Sequence, residues 1–87
     1  MTELRLRDAD LHWQEMDDEV IALEARSSTY LATNPAGTLL WQALSRGATR
    51  ASLADALVAA YGIDRDRALA DTDGFLAELD RQGLLVR

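Results

Sequence analysis

Thr29-Tyr30-Leu31-Ala32-Thr33-Asn34-Pro35-Ala36-Gly37-Thr38-Leu39-Leu40-Trp41-Gln42-Ala43-Leu44 changes its period part-way along. Up to Thr33 the residues are β-branched, aromatic and apolar, in the alternation of a strand. From Leu39 the apolar positions, Leu39, Leu40, Ala43 and Leu44 with Trp41 beside them, fall on one helical face. Asn34-Pro35 is the joint. Asparagine is a strong N-cap, and proline fits the first helical turn because its missing amide has no partner there to lose. A strand therefore runs straight into a helix, which Gly47 closes.

Working upstream, Leu11-His12-Trp13-Gln14-Glu15-Met16 alternates as a strand, and Asp17-Asp18 supplies a tight turn. Glu19-Val20-Ile21-Ala22-Leu23-Glu24-Ala25 is apolar enough for a central strand. Arg26-Ser27-Ser28 is a second polar turn. Connections this short allow only an antiparallel meander. Downstream, Thr49 caps a second helix with Leu53, Ala56, Leu57 and Ala60 on one face, ending at Tyr61-Gly62. Asp64 caps a third that runs to about Gln82, with Leu69, Thr72, Phe75, Leu76 and Leu79 at amphipathic spacing. Gly83 stops it, and Leu84-Leu85-Val86 is an apolar tail placed to pack back on the sheet. The order β-β-β-α-α-α predicts an α+β fold: a three-stranded antiparallel sheet followed by three helices, similar to a winged helix-turn-helix with its wing first. With 87 residues and no linker or repeat, one domain over residues 1–87 is expected.

The composition excludes more than it suggests. Hydrophobic residues are 48% and charged residues 28%, as in ordinary globular domains. There is no cysteine, hence no disulfide and no thiolate metal site. No apolar h-region opens the chain and no apolar run spans a membrane, so a cytoplasmic protein without membrane contact is expected. Net charge is −6, with every basic residue an arginine. The third helix sets Arg65, Arg67 and Arg81 against Asp64, Asp66, Asp71, Asp73, Glu78 and Asp80. A recognition helix of that sign is repelled by phosphates, which argues against nucleic acid.

A catalytic constellation cannot be assembled. The one histidine, His12, has no second histidine or cysteine to share a metal, and the glycines are scattered singly. The acidic residues of the third helix read as a solvated face, with Asp64 and Asp66 favoured by the helix dipole. No enzyme activity and no cofactor are expected.

The stretch from Tyr30 to Leu44 resembles the PqqD-like family of RiPP recognition elements: a strand into Asn34, a small-residue turn with Gly37, and the aliphatic-Trp pair Leu40-Trp41. Leu53, Tyr61-Gly62, Asp73-Gly74-Phe75-Leu76-Ala77-Glu78-Leu79 and Gly83-Leu84-Leu85 extend the likeness from about Asp10 to Val86. Thr33 departs from it, since the family usually has leucine there, which reads as a weakened core position. The Asn-Pro-x-Gly turn is most similar to the free-standing leader-binding proteins of lasso peptide pathways. The resemblance implies a partner: the disordered leader of a precursor peptide, bearing a Tyr-x-x-Pro segment, added as an antiparallel strand along the third strand and opposite the third helix. A leader peptidase, and a cyclase, would take the peptide onward. The implied contacts are Thr29, Tyr30, Leu31, Ala32 and Thr33 on the strand, and Leu69, Thr72, Asp73 and Leu76 on the helix. For Leu31, Leu69 and Leu76, core and groove floor are equal readings. An acidic winged-helix regulatory or protein-interaction module is the alternative function. A monomer, or a weak dimer paired edge to edge, is the expected state.

Overall fold

Three antiparallel strands and then three helices form the body of the computed structural model, which describes residues 3–7 and 9–86. In chain order the elements are β1 (Arg5–Leu6), β2 (Leu11–Met16), β3 (Glu19–Glu24), β4 (Thr29–Ala32), α1 (Pro35–Ser45), α2 (Arg50–Tyr61), α3 (Arg65–Arg81) and β5 (Leu85–Val86). The three-stranded sheet has the order β2-β3-β4. Its first turn places both Asp17 and Asp18 at positive φ, the geometry that twists a two-residue hairpin correctly.

The alternation sorts the sheet into two faces. Val20, Ala22 and Glu24 point inward, opposite Trp13 on one side and Leu31 on the other. Met16, Ile21, Leu23, Tyr30 and Ala32 share the outer face, which no element covers. The inner face meets α1, where Trp41 is fully buried and takes the ring of Trp13 edge-on at 5.8 Å between centroids. Leu44, Leu53, Leu57 and Leu79 complete the core.

All three helices begin where capping residues were expected. Asn34 Oδ1 accepts from the Gly37 amide at 2.8 Å, Thr49 and Ser52 form a reciprocal capping box, and Asp64 accepts from the Arg67 amide. Thr33 corrects the expectation of a weakened core position. Its Oγ1 accepts the Val20 amide at 3.0 Å and shares a 2.6 Å hydrogen bond with the Thr38 hydroxyl, while its own amide donates to the Val20 carbonyl. A leucine there would leave the Val20 amide without this partner.

The C-terminal tail does not join the three-stranded sheet. β5 pairs with β1 in a separate two-stranded ladder, and Leu4 exchanges backbone hydrogen bonds with Ala48 between α1 and α2. This brings Leu4, Leu6 and Leu84 into the core. The same end of the molecule holds Glu24, whose carboxylate is buried and bonded by Arg7 at 2.7 Å and by the amides of Arg26 and Ser27.

Two tests follow from these polar joints. Thr33→Val, nearly equal in volume, strands the Val20 amide and is expected to cost about 1–3 kcal/mol in denaturant unfolding. Glu24 is held below its usual pKa of 4.5, chiefly by the Arg7 hydrogen bond. The resulting stabilisation is complete above that value and is lost as pH falls through the depressed pKa. Unfolding at a series of pH values should show the acid decline shrinking in Glu24→Gln relative to the parent chain.

Candidate functional site

Both β2 and β4 are edges of the sheet, and they border different grooves: the end of β2 at Glu15 meets one formed with α1 and α2, whereas β4 runs beside one formed with α3. The inward side chains of β2 reach α1 through the Trp13–Trp41 ring contact and the Gln42–Glu15 hydrogen bond. β4 is different. The Thr33 amide points inward to Val20, so the alternation of an antiparallel ladder turns the amides and carbonyls of Tyr30 and Ala32 away from β3. Below that edge lies a groove of about 180 Å³ between β4 and α3. Leu31, Ala32 and Thr33 form its strand side, Gly37 its end, and Phe75, Glu78 and Leu79 its helix side.

Gly37 is required there. A Cβ on it would lie 3.1 Å from Thr33 Cβ and 3.3 Å from Phe75 Cε1, so α1 starts as close to β4 and α3 as backbone allows. The polar wall is also fixed: Glu78 accepts from the Gln82 amide group at 2.7 Å and pairs with Arg81.

Of the expected residues, Leu31, Ala32 and Thr33 line the groove, and its helix side is lined by residues other than Leu69, Thr72, Asp73 and Leu76. Leu31 is half-buried over the groove, Tyr30 is 72% exposed on the outer face, and Thr33 sits at the floor. Thr29, at the far end of β4, bonds its hydroxyl to that of Ser27. On α3, however, Thr72 has no exposed surface and Leu76 is in the core. Leu69 packs against the core, and Asp73 receives two hydrogen bonds from Arg50 of α2, at 2.6 and 2.8 Å, which lower its pKa. At 100° per residue these four positions centre roughly 110° around the helix from Phe75. They form the stripe that packs inward and toward α2, because the most apolar stripe of an amphipathic helix goes to the core. The groove takes a mixed stripe, in which Phe75 and Leu79 of the periodic apolar face stand beside Glu78, which hydrophobic periodicity does not mark. The pairing of Gly37 with the aromatic Phe75, which would have singled out this part of the face, becomes visible only once α1 and α3 are seen to cross.

Among the described residues, no group of histidine and carboxylate side chains is arranged to hold a metal ion, and His12 lies on β2. No helix among them is long and apolar enough to cross a membrane.

The family model described as coenzyme PQQ synthesis protein D (PqqD) matches residues 19–85. This chain belongs to the PqqD family. Two solved structures share its fold closely. TbiB1 in complex with the TbiA(beta) leader peptide is 30% identical, with a TM-score of 0.86 and 93% of each chain covered. A lasso peptide synthetase B1 complexed with the leader peptide is 27% identical, with a TM-score of 0.85 over 99% of this chain and 100% of that one. No curated protein matches the sequence. The α+β architecture expected from the residues is thus that of the family, with the short β1–β5 ladder as the part not foreseen.

Thr72 provides a test that separates core from groove. Its buried hydroxyl has no hydrogen-bond partner, so Thr72→Val is expected to stabilise the fold by about 1 kcal/mol, raising the melting temperature by roughly 4–8 °C. A loss of stability would show that the hydroxyl is satisfied.

Proposed function

We propose that this chain binds the leader segment of a ribosomally made precursor peptide, of the lasso peptide type, and presents it to maturation enzymes. The observation that carries this reading is the free edge of β4 above a groove closed by α3. It occurs in a fold shared with two proteins whose structures hold leader peptides. The extended peptide adds to the sheet antiparallel to β4, exchanging main-chain hydrogen bonds with Tyr30 and Ala32. Those bonds supply affinity with little regard for sequence. Selectivity comes from every second side chain, which points down between Leu31 and Phe75 and exchanges water for apolar surface.

The groove contacts in this reading are Leu31, Ala32, Thr33, Phe75, Glu78 and Leu79, with Tyr30 contributing its backbone. The remaining peptide side chains project onto the outer face beside Tyr30 and Ala32. A leader peptidase or a cyclase would therefore meet peptide and sheet as one surface. Residues 1–87 act as one recognition domain in the cytoplasm, and the chemistry belongs to the partners. The PqqD family model alone leaves the pathway open; the likeness to a lasso peptide synthetase B1 favours the lasso type.

Fluorescence anisotropy with the labelled leader of the precursor encoded beside this gene tests the proposal. Saturable binding is expected, and none up to about 100 µM would overturn it. N-methylation of the peptide amides one at a time should weaken binding about tenfold or more at alternate positions, those that pair with β4. A uniform response along the peptide would argue against strand addition. Leu31→Asp, with its fold checked by circular dichroism, should weaken binding by a similar factor.

A further inference from the structure

The groove beside β4 does not end at Gly37. It opens into a larger trough of about 520 Å³ between the start of α1 and the middle of α3, and the two share Asn34, Gly37 and Phe75 as a common wall. The floor of the trough is small and apolar, made by Ala36, Leu40, Leu57 and Ala70. Arg67 and Asp71, which pair at 3.8 Å, stand at its rim. The volume falls in the range of sites that bind whole side chains or small ligands.

Gly74, which also lines this trough, points to a use for it. It lies inside the 17-residue helix α3, where glycine is the poorest choice after proline. Neither of the usual reasons for glycine applies. Its φ is not positive, and a Cβ built on it meets no atom within 4 Å, in contrast to the crowding around Gly37. The missing side chain serves no contact within this chain; what it leaves is open space in the trough.

We infer that the trough is a second subsite for the same peptide, taking an apolar side chain from the segment that flanks the strand-forming part on its N-terminal side, and that Gly74 keeps it open. This rests on the leader-binding reading and on antiparallel pairing, the sense of both strand pairs in the sheet. β4 runs from Thr29 toward Asn34, so an antiparallel neighbour has its N-terminal flank at the Asn34 end, where the trough begins. The flank then leaves the sheet edge and crosses Phe75 onto α3.

The experiment compares two labelled peptides, the full leader and one lacking the residues N-terminal to the strand-forming part, on the parent chain, Gly74→Ala and Gly74→Leu. The parent chain is expected to bind the full leader about tenfold more tightly than the truncated one, the effect of burying one apolar side chain. Gly74→Leu fills the trough, so it should bind both peptides alike, at the affinity of the truncated form. Gly74→Ala should melt about 4–8 °C higher than the parent, which checks that position 74 tolerates a side chain. Equal binding of the two peptides by the parent chain, or unchanged discrimination by folded Gly74→Leu, overturns the second subsite while leaving leader binding intact. Sensitivity to truncation at the C-terminal flank instead overturns it as well. Failure of the parent chain to bind either peptide overturns the leader reading and this inference with it.

Discussion

The hydrogen-bonded joint of Val20, Thr33 and Thr38 is the constraint on which the geometry of the groove depends. Antiparallel ladders continue until something interrupts the exchange of amides and carbonyls. Here the interruption comes one residue beyond β4. Thr33 keeps its amide on the Val20 carbonyl but answers the Val20 amide with its side-chain hydroxyl, which frees the backbone to turn. The Thr38 hydroxyl then ties the turning point to the first turn of α1, and Asn34 caps that helix. Strand end and helix start are therefore fixed together within six residues, with Thr33, Gly37 and Thr38 buried and Asn34 as the cap. A buried polar network confers specificity only when each member is satisfied, and at this junction the ladder amide is.

From that joint the open edge follows. Pro35 cannot extend a ladder, and Gly37 lets α1 come within van der Waals range of Phe75, so α3 is held alongside β4 without covering it. At the opposite edge, β2, the side chains of Trp13 and Glu15 are engaged by Trp41 and Gln42 of α1, and α3 does not run alongside it. The asymmetry of the two edges is thus a consequence of which side chains α1 presents to the sheet.

The elements themselves were legible because each carries its own punctuation. Asn34, Thr49 and Asp64 cap the helices, and Asp17-Asp18 turns the first hairpin. Two things were not legible. The two-residue strands β1 and β5 are too short to show a period, and Leu4 and Leu6 become core residues only through a partner at the far end of the chain. The helix side of the groove was hidden for a different reason. Periodicity marks the stripe of α3 richest in apolar residues, and in so small a domain that stripe is needed inside. Leu69, Thr72 and Leu76 were claimed by the core, and Asp73 by Arg50, which left Phe75, at the margin of the apolar stripe, and Glu78 beside it to face β4. On the strand a period of two offers only two faces, so the side toward α3 was legible even though core and groove floor were equal readings for Leu31.

An edge that invites a peptide also invites a second copy of the chain, and three features favour the peptide. Pairing β4 with its own symmetry mate would satisfy the outward amides of Tyr30 and Ala32 on a strand only four residues long, flanked by a polar turn and by Pro35. It would also bring together two domains that each carry a net charge of −6, a repulsion that an uncharged or basic segment does not meet. A flexible peptide also fits the space better. It can lower side chains between Leu31 and Phe75, whereas a rigid sheet edge carries its outward and inward residues at fixed register and brings with it α3 and the groove wall of the second copy. In the proposed reading the shortness of β4 serves both ends: it leaves little ladder for a second copy to pair with, and it makes peptide binding depend on side chains that reach the groove.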